Sequence, residues 1–192
     1  MENVNLCDIV QGSLEWCEGA PAFAGMQGQV LYTAVSNILT WPEREKAANG
    51  QELASYKDKS SFVLKADKKW HKIDILPAKS TSTSDPQGEL PSASQLNKLS
   101  LLYPGTGEKA SNASAYLNNV PSVFLVRDMD GNWRVCGCQR WGKEIKTTVT
   151  QDWGQGSAGS AATTIAVAAP DTTAFPVYKG DVEIEGEDVV AA

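Results

Sequence analysis

The chain holds one histidine, His71, so every histidine-based acid–base pair or nucleophilic triad would have to use it. His71 follows Trp70 in a strand-like run with no serine or cysteine nucleophile signature beside it, and it reads as a structural or surface residue. Asp128, Asp130 and Asn132 repeat the D-x-D-x-N opening of a calcium loop. Arg134 follows, however, and no glutamate stands at the twelfth place, so hairpin-turn residues explain them better. Gly154 to Gly159, GQGSAG, echoes a G-x-G-x-x-G loop but lacks the strand–loop–helix setting that would aim a helix N-terminus at a phosphate. No catalytic, cofactor-binding or metal-binding residue emerges, and neither enzymatic activity nor a cofactor is expected.

The four cysteines, Cys7, Cys17, Cys136 and Cys138, are spaced C-x9-C and C-x-C, neither of which matches the C-x2-C zinc knuckle. Reduced, partly buried thiols are the expected state; a zinc site built from all four and a Cys7–Cys17 disulfide are the alternatives. Six tryptophans and five tyrosines raise a glycan-binding or single-strand-binding platform, but the tryptophans are scattered along the chain, which favours packing.

The elements that would carry such residues are strands. Val123 to Gln139 is the clearest: Val-Phe-Leu-Val runs in, Asp130-Gly131 turns, and Trp133-Arg134-Val135-Cys136 runs out, a β-hairpin whose turn needs positive φ. Further strands are predicted at Gln29–Ala34, Ile38–Thr40, Leu96–Tyr103, Glu144–Thr150 and Thr163–Ala169, with an edge piece at Phe175–Tyr178. Phe62–Lys65 and Lys72–Leu76 read as a second hairpin around Asp67-Lys68-Lys69, and Glu43 to Leu53 as a possible helical turn. Glu108 to Asn119 is the one helix, with Thr106 as N-cap, an apolar stripe of Ala110, Ala113, Tyr116 and Leu117, and Pro121 as its stop. The sum is a mainly β protein: an antiparallel β-sandwich or barrel of about eight strands with one short packed α-helix.

A chain of 192 residues fits a single domain, 1–192, and can bury a full core. Within it, residues 1–22 read as an N-terminal arm and 180–192 as a C-terminal arm or strand. Residues 77–93, PAKSTSTSDPQGELPSA, offer almost nothing to bury. They are either a surface loop or a loop or hairpin that orders on a neighbouring subunit. Seventeen basic against twenty-three acidic side chains give a net charge of −6, which argues against a surface that grips nucleic acid but not against one that DNA slides past. No apolar run approaches the roughly 18 residues of a membrane span. Nor does the N-terminus show a signal peptide, so a soluble, cytoplasmic product is expected.

Taken in order, the elements resemble phage tail tube (major tail) proteins, of the divergent kind carried by Bacteroides-infecting and crAss-like phages. The residues that carry the resemblance begin with Cys7, Gly12, Leu14 and Cys17, followed by the strand into Ile38-Leu39-Thr40-Trp41-Pro42. The helix ending in Tyr116-Leu117-Asn118-Asn119-Val120-Pro121, the Phe124–Gly137 hairpin and the closing Thr163–Tyr178 stretch complete it. The resemblance implies a virion subunit that assembles with itself into stacked, hexameric rings, strands from six copies lining a channel through which genome DNA passes without specific binding. Its other partners would be baseplate, terminator and, where present, sheath proteins, with no membrane involved. Subunit contacts are then expected at Leu6, Ile9, Leu14 and Trp16 in the first arm, at Pro77, Ser82, Asp85, Pro86, Gly88 and Leu90 in the 77–93 loop, and at Val182 and Ile184 in the second. Lumen-facing side chains should be acidic or small and polar. The alternatives are another virion component (tail terminator, neck or capsid auxiliary protein) and a β-sandwich module that binds a glycan or receptor.

Overall fold

The computed structural model describes residues 12–14, 17–19, 21 and 23–186. In chain order their strands are β1 (Met26–Ala34), β2 (Ile38–Thr40), β3 (Arg44–Lys46), β4 (Glu52–Tyr56), β5 (Val63–Leu64), β6 (His71–Asp74), β7 (Thr81–Gln87) and β8 (Ser94–Pro104). Helix α1 (Glu108–Leu117) follows, then β9 (Ser122–Asp128), β10 (Trp133–Cys136), β11 (Lys146–Asp152), β12 (Ala162–Asp171) and β13 (Val177–Tyr178). A seven-stranded sheet runs β3–β4–β13–β10–β9–β1–β6, a four-stranded sheet runs β11–β12–β8–β7, and β2 pairs with β5 alone. Among the described residues the strands pair antiparallel except β4 with β13, and Trp70 forms an isolated parallel bridge with Ile184. The class is mainly β and sandwich-like, as the sequence predicts, but the sheets do not close into a barrel, and the strands, several of only two or three residues, outnumber the eight expected.

The hairpin of β9 and β10 sits in the middle of the larger sheet. Its loop is three residues long, since the Asp128 N–H donates to Asn132 O at 3.0 Å, and Gly131 takes the left-handed position at φ +93°. Val123, Phe124, Leu125 and Val126 are all at most 3% exposed. Both faces of β9 are therefore covered, which explains its unbroken apolar run. One face meets the four-stranded sheet: Cys136 Sγ lies 3.9 Å from Asn97 O on β8, and Leu99, Leu101, Ile165 and Val167 alternate inward from β8 and β12. Past β10 the chain turns at Gly137, whose φ of +124° would strain any side chain; a Cβ there would also press on Ile145 Cδ1 at 2.8 Å.

An aromatic cluster fills the core beside β13. The Phe62 ring lies 5.3 Å from both Trp70 and Tyr178 and 5.5 Å from Trp41, and Tyr56 packs on Tyr178 at 6.1 Å. The Tyr178 hydroxyl accepts from the Phe62 N–H and donates to Asp181 O, which satisfies a buried phenol. Val182 and Ile184 are buried at 0% and 1%, and the segment is hydrogen-bonded along Trp70 through Glu183 O and the Glu185 N–H.

Several local expectations change. Phe62–Lys65 and Lys72–Leu76 do not pair with each other: β5 joins β2 and β6 joins β1. The Glu43–Leu53 stretch forms the β3–β4 hairpin, turning at Asn49-Gly50, and contains no helical turn. β13 lies between β4 and β10 and is no edge. It is only two residues long, and Pro176 precedes it, accepting from the Val135 N–H. Gly107, not Thr106, occupies the N-cap of α1, and Tyr116 of its expected stripe is 41% exposed, leaving Ala110 and Leu117 to anchor the helix.

Candidate functional site

Two surfaces stand out. The first is the outer face of the four-stranded sheet. Inward residues of β8, β12 and β11 fall at odd numbers, so even positions point away from the core. On β7 the relation reverses: Ser84 Oγ donates inward to Asn97 Oδ1 at 2.7 Å, and Thr81, Thr83 and Asp85 face out. The strand register then builds cross-strand rows, Thr148–Ala166–Ser100–Thr81 and Lys146–Ala168–Lys98–Thr83. Lys98 pairs with Asp85 at 2.8 Å, and Lys146 shares its side of β11 with Asp152. This face carries mostly short side chains, with Leu96 and Leu102 also at outward positions of β8, and is nearly balanced in charge.

Its margins are β7 and β11. Among the described residues no backbone hydrogen bond reaches the outer side of β7. The outer side of β11 is partly capped, because the Val149 N–H donates to Asn118 Oδ1 at 2.7 Å just beyond α1. Open strand margins are the feature that soluble monomers usually blunt.

The second surface is a groove of about 620 Å³ between the β3–β4 hairpin and the loop after β10, lined by Trp41, Arg44, Lys46, Glu52, Arg140 and Trp141 among others. Its floor is an ion pair: Arg44 Nη2 donates to both Asp171 oxygens at 2.8 and 2.7 Å, and Nη1 donates to Thr173 Oγ1 at 2.9 Å. The Arg44 guanidinium also stacks on Tyr56, 4.6 Å from the ring centre. Burial pushes the Asp171 carboxyl above the ordinary aspartate range while Arg44 opposes the rise. Burial likewise raises the Tyr56 phenol and the Cys138 thiol at this floor.

The expected contact residues divide. Ser82, Asp85 and Pro86 lie on β7, Gly88 and Leu90 in the tip of the β7–β8 hairpin, and Pro77 just before it, all exposed. The 77–93 segment is thus largely an ordered hairpin of its own chain, because Asn97 and Gln95 of β8 accept from Ser84 and the β7 backbone pairs along Ser94–Ser100. Leu14 is fully exposed. Leu6, Ile9 and Trp16 lie outside the described residues, as does Cys7 with the disulfide and four-cysteine zinc alternatives that need it. Val182 and Ile184 are corrected: their side chains are in the core of their own subunit and cannot also form an outer contact.

His71 is half exposed, with Nδ1 2.5 Å from Glu185 Oε2 and its ring beside Tyr32, and it lines neither cavity. Asp128 and Asn132 act within the hairpin turn, where Asp128 accepts from the Asn132 N–H and from Arg134 Nε at 2.9 Å. The glycine-rich 154–159 stretch joins β11 to β12 and opens no helix of phosphate-binding type. Cys136 and Cys138 are buried free thiols, Cys17 an exposed one. Trp70 and Trp133 fill the core, and Trp153 is 77% exposed. The groove residues Arg44, Arg140, Trp141 and Asp171 carried no sequence signal, since they converge from three distant stretches without a shared motif. Among the described residues no helix is long and apolar enough to cross a membrane. Comparison with protein-family models, with curated proteins and with solved structures found no match for this chain.

Proposed function

We propose that the chain is a structural virion protein, a tail tube subunit that closes into stacked, hexameric rings around a channel for DNA and performs no turnover. The observation that supports this most is the four-stranded sheet, with one face buried, the other lined mostly by short, charge-balanced side chains, and margins at β7 and β11. Strand addition between copies would satisfy the backbone groups along β7, and an interface whose two sides differ closes into a ring when its rotation permits. Short side chains on the inner wall would let a duplex pass, and the absence of net positive charge would keep it from being held. A glycan- or receptor-binding module requires several tryptophans exposed on one face; among the described residues Trp70 and Trp133 are buried, Trp153 is 77% exposed on its own, and Trp41 and Trp141 are half-buried together on the groove wall.

Electron microscopy of the purified protein tests the reading. Hollow rods of one diameter, built from rings of fixed mass, are expected; a lone monomer that persists at high concentration overturns it.

A further inference from the structure

The groove lies toward the opposite end of the larger sheet from Met26, where the N-terminal arm joins β1. Met26, where the arm joins β1, is level with Asp128 at one end of β9. Cys136 is level with Phe124, four residues or about 13 Å further along, and the groove-lining stretch from Cys138 to Trp141 continues beyond it. None of the described arm residues lines the groove, and Leu14 touches nothing that shields it. The chain therefore enters β1 on the side of the subunit away from its own groove. From Gly12 to Met26 it can span up to about 45 Å, enough to cross to another molecule.

Composition matches the two. Before Arg44 the sequence contains no lysine or arginine, while Glu2, Asp8, Glu15 and Glu18 are acidic and Leu6, Ile9, Leu14 and Trp16 apolar. The groove walls carry Arg44, Lys46, Lys57 and Arg140 against Glu43, Glu52 and Asp171, a positive balance in a chain of net −6. Asp171 is consumed by Arg44 and Glu43 by Lys57 at 2.6 Å, whereas Arg140 has Glu52 only at 3.8 Å and lies over the Trp141 ring. Trp41 and Trp141 are both half-buried on the wall. A volume of about 620 Å³ falls within the roughly 300–1,000 Å³ of clefts that take side chains or ligands.

We propose that this groove receives the N-terminal arm of a second copy of the chain, with Leu14 seated against Trp41 and Trp141 and the arm's carboxylates against Arg140 and Lys46. The inference rests on the tail-tube reading for its setting, in which such a contact would tie one ring to the next, and its test is separable from that reading.

The test uses full-length protein with Leu14 replaced by p-benzoyl-phenylalanine, mixed from light and nitrogen-15-labelled preparations and irradiated. The expected product is a mixed-isotope cross-link between the arm and the peptides holding Trp41–Lys46 or Cys138–Trp141. The double variant Lys46→Glu/Arg140→Glu should lower its yield at least tenfold, and adding Glu18→Arg should restore part of it. Cross-links within one chain only, to another surface, or absent because the groove holds a small ligand would each overturn the proposal. Hollow rods that form with the cross-link elsewhere would refute the arm–groove contact and leave the tube reading standing. A correct cross-link in a short oligomer that never forms rods would do the reverse.

Discussion

Replacing Arg44 with Met should be among the most damaging single changes in the protein. Arg44 and Asp171 side chains are 10% and 1% exposed, and the guanidinium makes two bonds to the carboxylate, one to Thr173 Oγ1 and a stacking contact with Tyr56. The pair also ties β3 of the seven-stranded sheet to the end of β12 in the four-stranded one. Methionine keeps much of the volume but leaves a buried carboxylate with no cation, which costs about 3–5 kcal/mol. That is a large part of the roughly 5–15 kcal/mol that holds a typical domain together, and for a chain this size it corresponds to a Tm loss of about 6–20 °C. The double variant Arg44→Met/Asp171→Leu removes the orphaned charge and should recover most of the loss. A residue of about 1 kcal/mol should remain because the Thr172 N–H, which donates to Asp171 Oδ1 at 2.6 Å, loses its partner. Urea unfolding followed by tryptophan fluorescence at a fixed protein concentration reads both. An Arg44→Met cost below about 1 kcal/mol, or a double variant as unstable as the two singles added together, would refute the account of this ion pair.

Three further outcomes are expected. Leu117→Ala, at a side chain 1% exposed beneath α1, should cost about 2–5 kcal/mol in the same unfolding assay; a change under 1 kcal/mol would mean the helix is not anchored there. Burial alone would raise the Asp128 carboxyl, but the bonds from Arg134 and Asn132 outweigh it and hold it below the usual aspartate range. Its stabilisation is therefore present above the ordinary value, about 3.9, and lost as pH falls through the folded one, so Asp128→Asn should flatten the acid side of a Tm-against-pH curve. An acid limb of unchanged slope would contradict this. Brief alkylation of the native protein followed by peptide mapping should modify Cys17 and spare Cys136 and Cys138, whose thiols burial raises and shields; rapid labelling of Cys136 would show that the sandwich opens.

Strand identity was readable wherever a run was apolar or β-branched and bounded by turn residues, as at Val123–Cys136 and Thr163–Ala169. Partner choice was not. Whether the Phe62 run meets the Lys72 run or crosses to β2 depends on layer geometry, which adjacent sequence does not encode. The two-residue β13 was visible as a strand but not as an interior one, because pairing on both sides depends on β4, more than a hundred residues earlier. β7 reads as loop because its Ser, Thr, Asp and Pro side chains bury almost nothing. It is a strand because β8 offers its backbone and Asn97 offers an amide oxygen to Ser84. The same logic hid the groove: Arg44 and Asp171 become a pair only through the packing of two sheets, and neither residue is unusual where it stands in the sequence.

The distribution of charge sharpens the proposed function. The net −6 suggested an inner wall that is acidic or small and polar, and the outward face of the four-stranded sheet sets Lys98 against Asp85 and Lys146 on one side with Asp152 among short polar side chains. An acidic wall would repel a duplex over a Debye length of about 8 Å, and a basic one would hold it through counterion release; a wall of mostly short side chains with balanced charge does neither. If this face lines a channel, passage would depend on smoothness more than on repulsion. Thr148→Lys and Ser100→Lys, which leave buried positions untouched, should then add a ring of positive charge without preventing assembly. Assembled rods of this double variant should retain duplex DNA in a salt-dependent manner while wild-type rods do not. Equal retention by both would place the face outside the channel.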